Sequence, residues 1–585
     1  MTNKIAVRRL IFAGMLGLIW LGFGLRIYAI GDNSLWYDEL LQVDIAQGPL
    51  AHILPQMERH AAMPLDYVIL HFWIKLGRQE FWVRWPALVF GMLAIPLIYR
   101  VGHTFFNQRT GLLAAILLTW ASLAVQYSRE VRPYALLLVL TLLAFFGLWQ
   151  VYQTQQWRYW LVAIGGIVGA TFTHYFALFL LLPLGLLVAG QQVRHWRQSS
   201  YWGHTALFGL GLFLVLTTLV LTGRFKAVYN VSFGAAQVVT APNQLASSAA
   251  EKPNRGSGPP LERTFFVDSV LSPLATGQPA FLLLYMVFFL VGLGPLLVYR
   301  APQRGAIVLL LGWLLLPISL IYLFLLYRGT FYAVRYVLYT LPAFLILVAY
   351  GLDLTGQKVE AGLRKFGFTH FGSAGKFLPL GPSIVVAGLL LPLLWAKTGE
   401  LQTTLTAEAR EDWRAVGELL QHYAAPEDVV IAVRAEPTMN WYYPPATAHF
   451  GKYDQTPRIW QVLNQGPRRW FVLSSYSAKR DKALRDWLAG NEAVMIGIDR
   501  RVVLFVQQQG VSASQLLAEI EHFSLPAKPI TYLTLANQFE QHGQIETSRR
   551  FYQHALQLAG PDLKGPIEAE MIKRDIDLTS AFDGS

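Results

Sequence analysis

Hydrophobic runs constrain the fold of this chain more than any other feature. Eleven apolar stretches recur along its 585 residues, each suited in length and composition to a helix that enters a bilayer. They lie near 10–30, 82–99, 111–128, 134–152, 159–173, 176–190, 204–222, 280–298, 306–326, 336–352 and 378–396. Because lipid cannot satisfy backbone polar groups, the runs predict a polytopic α-helical membrane protein with about 11 transmembrane helices.

The distribution of charge predicts the orientation of these helices. Lys and Arg dominate the loops that would lie inside if the N-terminus is cytoplasmic, where Asp353 and Glu360 are the only acids. The first outer loop, 31–81, carries seven acidic against three basic residues. This asymmetry follows the positive-inside rule, provided that 159–190 forms two short helices divided at Thr173-His174-Tyr175. We expect an extracytoplasmic C-terminal domain and a multi-pass protein of a bacterial inner (plasma) membrane.

Composition supports the membrane class and excludes several kinds of chemistry. The chain is 54% hydrophobic and only 14% charged, which is too apolar for a soluble protein. Its net charge of +12 needs no nucleic acid, because cytoplasmic loops of membrane proteins are basic. With no cysteine, disulfides, thiolate nucleophiles and cysteine metal sites are excluded.

Several segments are expected to lie outside the membrane. The transmembrane domain is predicted to span 1–396, with the first outer loop at 31–81 and a Gly-, Pro- and Ser-rich outer loop at 223–279. That second loop is either disordered or a flexible flap. Residues 397–510 predict a soluble α/β domain, with strands at Asp428–Val433, Trp470–Leu473, Val494–Ile496 and Val502–Val506. Residues 526–562 resemble one tetratricopeptide unit, which cannot bury its own apolar faces. It is expected to pack on the α/β domain or to bind a protein partner.

The clearest candidate for chemistry directly follows the first apolar run. Ser34-Leu35-Trp36-Tyr37-Asp38-Glu39 places two adjacent carboxylates where a membrane helix emerges into water. A carboxylate there can take a proton from a hydroxyl group. The alternative is that Trp36 and Tyr37 belong to an interfacial aromatic belt and that Asp38-Glu39 cap the next helix.

Further polar residues recur at the same predicted membrane face. They are His60, Tyr67, Arg129, Glu130, Arg132, Tyr134, His174, Tyr175, Arg335 and Tyr336. Each has a structural alternative, since arginines at helix ends often anchor the helix at the membrane surface and a histidine there can be a satisfied polar group. Charges at a membrane edge are nevertheless costly unless they are paired or functional. Their convergence on one rim therefore favours a site.

The order of these motifs resembles glycosyltransferase family 39, the protein O-mannosyltransferases and aminoarabinose transferases of the C-type membrane glycosyltransferase fold. The resemblance rests on Trp36–Glu39, Pro64–Trp73, Val83–Pro86, Tyr127–Tyr134, His174-Tyr175 and Arg335–Pro342, and covers roughly 5–400. It implies transfer of a sugar from a polyprenyl-phosphate carrier on the non-cytoplasmic face. It also implies a catalytic aspartate in the first outer loop, which corresponds to Asp38.

Two departures limit what the resemblance implies. Many relatives carry His-Pro-Pro before the amphipathic helix, whereas this chain has His60-Ala61-Ala62-Met63-Pro64. The family role of that histidine is therefore left open. The soluble C-terminal part also differs from the better-known members, so the acceptor is not carried over.

The residues themselves fit this chemistry. A sugar phosphodiester releases a stable phosphate anion, which cations hold and for which arginine offers two-pronged geometry. Arg129, Arg132 and Arg335 fit this role, with Glu130, Tyr134, His174, Tyr175 and Tyr336 contacting the donor and His60 and Tyr67 contacting donor or acceptor. Asp38 fits a general base that Glu39 positions, and attack in one displacement predicts inversion.

The expected partners are the lipid-linked donor, an unidentified acceptor (lipid, glycan or protein) and the bilayer. No cofactor and no metal site are predicted, because the spacing of Glu39, His60 and His174 matches no metal motif, although a divalent ion stays open. Two other functions also stay open. A polymerase or ligase of surface polysaccharide would want an outer loop rich in Arg and His, and a flippase would want ionisable residues at mid-membrane.

Overall fold

The computed structural model describes the chain in thirteen stretches. They are residues 2–60, 62–221, 223, 266–275, 279–298, 301–328, 332–365, 380–407, 411–433, 435–444, 448–450, 466–474 and 482–573. The chain divides into two units. The membrane unit comprises Met1–Ile30 and Ile45–Ala407, and the soluble unit comprises Gly31–Asp44 and Glu408–Ser585. Most of the loop predicted at 223–279 lies outside the described residues.

Helices make up the membrane unit. They are α1 (Thr2–Ile27), the end of α2 (Tyr37–Gln47), α3 (Leu50–His60), α4 (Pro64–Trp73), α5 (Glu80–Val83), α6 (Trp85–Phe105), α7 (Gln108–Thr119), α8 (Ser122–Tyr127), α9 (Tyr134–Thr154), α10 (Arg158–Thr173), α11 (Leu181–Arg194), α12 (Ser199–Leu221), α13 (Ser272–Ala275), α14 (Pro279–Leu293), α15 (Arg304–Arg328), α16 (Leu341–Lys365) and α17 (Leu380–Thr406). Short 3-10 helices at Ile74–Leu76, Tyr175–Leu180, Gly294–Leu297 and Val334–Thr340 and a π-helix at Phe266–Leu271 extend some of them.

Helix covers most of each predicted hydrophobic span, but the span at 111–128 is divided between α7 and α8, and residues 222, 378 and 379 lie outside the described part of the chain. Among the described residues, seven helical segments are long and apolar enough to cross a membrane: Arg9–Ile27, Glu80–Phe105, Tyr134–Thr154, Tyr175–Arg194, Ser199–Val220, Arg304–Tyr327 and Val334–Gly362. The chain is therefore a multi-pass membrane protein, and the total of 11 stays a prediction. The run at 159–190 divides at His174, as expected, whereas α17 continues to Thr406, ten residues beyond the predicted limit of the membrane domain.

The segment after His60 forms α4. This helix buries Asp66, Tyr67, Leu70 and His71 on one side. Phe72 on the other side is more than half exposed. A helix with an exposed apolar face and a packed polar face suits the membrane interface.

Close packing of α14 on α16 depends on small residues. Gly351 on α16 faces the backbone of α14, and a Cβ atom at this position would overlap the Phe288 carbonyl oxygen. Close backbone approach of this kind is the usual way in which membrane helices gain van der Waals contact, since lipid supplies no hydrophobic drive between them. Gly362, near the end of the same helix, has open space around its Cα.

The soluble unit contains a five-stranded sheet. Its elements are the start of α2, α18 (Trp413–Tyr423), β1 (Val429–Val433), α19 (Glu436–Tyr442), β2 (Ala448–Phe450), β3 (Arg468–Ser474), α20 (Lys482–Gly490), β4 (Val494–Gly497), β5 (Val502–Gln508), α21 (Ala513–Ile520), α22 (Pro529–Gln541), α23 (Ile545–Leu558) and α24 (Pro561–Lys573). The strand order is β2-β1-β3-β5-β4. β1 pairs in parallel with β2 and β3, whereas β5 is antiparallel to β3 and β4.

All five residues of β1 are buried, as expected for a strand with neighbours on both sides and apolar groups on both faces. The four predicted strands are present, and β2 was missed because three residues carry too little pattern.

The tetratricopeptide-like segment packs on the sheet. The amide of Gln538 on α22 accepts a hydrogen bond from Met495 N (2.8 Å) and donates one to Met495 O (2.6 Å), which satisfies the outer edge of β4. Such pairing prevents an open edge from joining another strand. Ser548 replaces the alanine of the usual pattern, and its buried hydroxyl donates to Ala536 O at 2.8 Å.

Replacing Gly351 by Ala should destabilise the membrane unit. The added methyl group has to displace the α14 backbone, at a cost of about 1–3 kcal/mol for overpacking. The matched change Gly362→Ala has room and should leave stability unchanged or slightly higher, because Ala favours helix. Thermal unfolding in detergent checks the pair, and equal midpoints would contradict the close approach of α14 and α16.

Candidate active site

The loop with two carboxylates belongs to the soluble unit. α2 begins at Tyr37, so Asp38 and Glu39 lie in its first turn, where the helix dipole favours negative charge. Glu39 is completely buried, and its Oε2 accepts a hydrogen bond from Trp36 N at 3.2 Å. Asp38 is partly exposed. The helix-cap alternative therefore describes Glu39, and Asp38 is the more exposed of the two carboxylates.

A second group of predicted residues surrounds His174 in the membrane unit. His174 joins α10 to the 3-10 helix Tyr175–Leu180 in extended conformation. Its ring stacks on Tyr175, with centroids 4.9 Å apart, and lies 5.7 Å from Tyr134 and 6.4 Å from Tyr336. We call His174, Tyr134, Tyr175, Tyr336, Arg132 and Arg335 the His174 cluster.

Two arginines complete the His174 cluster. The Arg132 guanidinium carbon lies 5.9 Å from the Tyr134 ring centre, and that of Arg335 lies 5.6 Å from the Tyr336 ring centre. Burial, followed by the charges of Arg132 and Arg335, lowers the pKa of His174 to about 3. The imidazole is therefore neutral at physiological pH.

The hydrogen bonding of His174 fixes its tautomer. Nδ1 accepts from Phe176 N at 3.2 Å, so the neutral ring carries its proton on Nε2. Two guanidinium groups beside a neutral donor ring form an arrangement that suits a phosphate anion.

Arg129 binds backbone carbonyl groups. Its Nη1 donates to Thr404 O at 3.1 Å and its Nη2 to Tyr28 O at 2.7 Å. These bonds connect the segment after α8 to the ends of α1 and α17. The structural alternative, an anchor, therefore describes Arg129 better than the predicted phosphate contact. Glu130 is buried, and its Oε1 accepts from Gln126 Nε2 at 3.1 Å.

The two remaining candidates are less informative. His60 ends α3, and its side chain lies outside the described part of the structure. Tyr67 is buried on α4. Over the described residues, no group of three or more His, Asp or Glu side chains could hold a metal ion, and the expectation about metals stays a prediction.

Sequence reasoning missed the residues that hold the Asp38 loop. Glu411, Arg414 and Tyr442 of the soluble unit all hydrogen-bond to residues 31–37. Nothing in the sequence indicates these contacts, since Glu411 and Tyr37 are 374 positions apart. Arg84, which lies within the motif Val83–Pro86, is also buried, and it donates to Ile30 O at 2.7 Å.

Part of the membrane unit matches a known protein family. Residues 60–220 match the sequence profile of the dolichyl-phosphate-mannose-protein mannosyltransferase family. This part of the chain contains α4 to α12 and all of the His174 cluster except Arg335 and Tyr336. No curated protein sequence matches the chain.

Comparison with solved structures identifies similar folds. ArnT from Cupriavidus metallidurans in the apo state has a TM-score of 0.54 at 13% identity, covering 86% of this chain and 98% of that one. The same protein bound to undecaprenyl phosphate gives a TM-score of 0.51 at 13% identity, covering 87% and 99%. The oligosaccharyltransferase AglB from Archaeoglobus fulgidus, in complex with an inhibitory peptide and a dolichol-phosphate, gives 0.52 at 10% identity, covering 97% and 86%.

Acid should destabilise the native protein partly through His174. Its pKa is lowered from about 6.5 to about 3 on folding, so the unfolded chain binds the extra proton at intermediate pH. Stability should fall as the pH drops below about 6.5, by up to about 1.4 kcal/mol per pH unit from this group. Replacing His174 by Asn, which retains a capping acceptor, should flatten that dependence between pH 7 and 4. Unfolding midpoints in detergent check this, and identical slopes for both proteins would contradict the burial of a neutral imidazole.

Proposed function

We propose that the chain is a membrane glycosyltransferase, because it has the C-type glycosyltransferase fold and because residues 60–220 match the mannosyltransferase family profile. It moves a sugar from a polyprenyl-phosphate-linked donor to an acceptor hydroxyl on the non-cytoplasmic face. Two structures of similar fold, ArnT with undecaprenyl phosphate and AglB with a dolichol-phosphate, support this class of donor.

One observation carries the proposal: the guanidinium groups of Arg132 and Arg335 lie over the rings of Tyr134 and Tyr336, and both of these rings lie beside His174 at a helix junction. Two guanidinium groups match the oxygens of a phosphate and hold the anion that departs from the sugar. The His174 Nε2–H adds a neutral donor, and the tyrosine rings offer apolar faces to a sugar. We assign the lipid phosphate to this cluster.

Asp38 supplies the base in the proposed reaction. Its carboxylate takes the proton of the acceptor hydroxyl as the acceptor oxygen attacks the anomeric carbon. The bond from that carbon to the phosphate oxygen breaks, and the polyprenyl phosphate departs as an anion with the electron pair of that bond. One displacement inverts the anomeric centre. Glu39 fixes the start of α2 through Trp36 N.

A direct test needs no knowledge of the acceptor. Purified protein is incubated with a panel of radiolabelled polyprenyl-phosphate sugars, and release of sugar to water is measured. We expect slow hydrolysis of one donor class. Movement of intact donors across vesicles without cleavage of any of them would instead indicate a flippase.

Replacing Asp38 by Asn should abolish transfer without unfolding the protein. The amide keeps the size of the carboxylate and caps a helix equally well, but it is not a base. Turnover should fall roughly a hundredfold or more, with donor binding retained. Glu39→Gln should cost less. An active Asp38→Asn protein would leave Asp38 with a capping role only.

Replacing Arg335 by Ala should weaken donor binding. We expect donor KM to rise roughly tenfold or more, the scale of a charge-assisted hydrogen bond, and Lys to restore it only partly. Arg129→Ala is the matched control, because Arg129 binds two backbone carbonyls. It should lower stability and leave donor KM near the wild-type value. Unchanged KM in the Arg335 variant, measured by donor titration, would argue against the phosphate assignment.

A further inference from the structure

The loop that carries Asp38 is hydrogen-bonded to the soluble part of the chain. Ser34 Oγ donates to Glu411 O at 2.6 Å, and Tyr37 N donates to Glu411 Oε2 at 2.8 Å. Tyr37 is the first residue of α2, so its N–H has no partner within the helix. The Glu411 carboxylate therefore caps the helix from outside, one residue before Asp38.

The carboxylate of Glu411 is itself held in place. Trp413 Nε1 donates to the same Oε2 at 2.8 Å, and Trp413 is completely buried. The pKa of Glu411 is raised, because burial raises it more than the hydrogen bonds from Trp413 and Tyr37 lower it. Because the buried Trp413 indole fixes Glu411 Oε2, the backbone N–H of Tyr37 that binds this oxygen is also restricted in position.

Other residues of the soluble unit hold the loop on both sides of Asp38. Leu35 N donates to Tyr442 Oη at 2.8 Å, and the Arg414 guanidinium donates to the carbonyl of Gly31 at 3.0 Å. After Asp38, Asn440 Nδ2 donates to Asp44 Oδ1 at 3.0 Å. The segment that carries Asp38 is thus held both before and after this residue.

A general base needs this kind of support. Misplacing a reacting group by about 1 Å can cost a hundredfold in rate, so its rotamer and backbone must be held by a second set of contacts. Glu411 binds the backbone N–H of Tyr37, the residue directly before Asp38. Glu411 and Tyr37 are 374 positions apart in the sequence, so the contact forms only because the loop folds with the soluble unit.

We propose that Glu411 is a positioning residue for Asp38, and that the soluble unit holds the catalytic loop through it. The inference rests on the proposed function. Glu411 touches neither donor nor acceptor; it acts by fixing the N-terminus of α2. The soluble unit is therefore part of the transferase machinery and cannot be removed without loss of turnover.

The test uses the full-length protein in detergent and compares Glu411 with Asp428, because each carboxylate accepts a hydrogen bond from a tryptophan side chain. Glu411→Ala removes the acceptor of Tyr37 N, and Glu411→Gln keeps an acceptor oxygen. Asp428→Ala is the matched control, because Asp428 Oδ2 also binds an indole and a backbone N–H, those of Trp470 (2.9 Å) and Ala425 (3.0 Å). Asp428 has no part in the loop.

Two readouts are measured: hydrogen exchange of residues 34–40, and kcat and KM for donor hydrolysis. Glu411→Ala should increase exchange in this segment and lower kcat roughly tenfold at unchanged donor KM, the scale of one charge-assisted hydrogen bond. Glu411→Gln should restore both, and Asp428→Ala should change neither. Ser34→Ala, which removes the hydroxyl that binds Glu411 O, should show a smaller change in the same direction.

The outcomes separate this inference from the proposed function. Normal exchange and kcat in Glu411→Ala, with Asp38→Asn inactive, would overturn the positioning role and leave the transferase intact. An equal loss of kcat in Glu411→Ala and Asp428→Ala would also overturn it, because both would then act through general stability. An active Asp38→Asn would overturn the proposed function itself, whatever the exchange of the loop.

Discussion

Desolvation of arginine is the constraint on which the end of the membrane unit near His174 depends. A guanidinium group near hydrocarbon is costly unless polar or aromatic groups surround it. Arg84 and Arg129 meet this requirement with backbone carbonyls of Ile30, Tyr28 and Thr404, which fixes the helix ends. Arg132 and Arg335 instead lie over tyrosine rings beside His174. The arginines therefore divide into anchors and candidate ligands of an anion.

The two adjacent carboxylates divide in a similar way. Glu39 is buried and accepts a hydrogen bond from the backbone N–H of Trp36, whereas Asp38 is partly exposed. A base has to reach its proton, and a cap has to reach its N–H group, so the two environments suit two roles. The contacts of Glu411 with Tyr37 and Trp413 extend this arrangement into the soluble unit.

Hydrophobic pattern predicted the helices and strands well, because lipid and a buried sheet both impose apolar residues at regular spacing. β1, with five buried apolar residues, shows this clearly. The motif order also grouped Tyr134, His174 and Tyr336, whose rings meet in the structure. The pattern could not distinguish the environments of Arg129 and Arg335. Whether a guanidinium binds backbone carbonyls or lies over an aromatic ring depends on the fold and leaves no mark in the sequence. Nor could the pattern find Glu411, whose partner is 374 positions away.

The stereochemistry of transfer tests the central claim most directly. Purified protein is given a polyprenyl-phosphate sugar of one defined anomer, and NMR follows the anomeric signal of the product before mutarotation. A single displacement with Asp38 as base predicts that the product first appears with inverted configuration. A product that first appears with retained configuration would exclude a single displacement, and would contradict the role of Asp38 as the general base of that step.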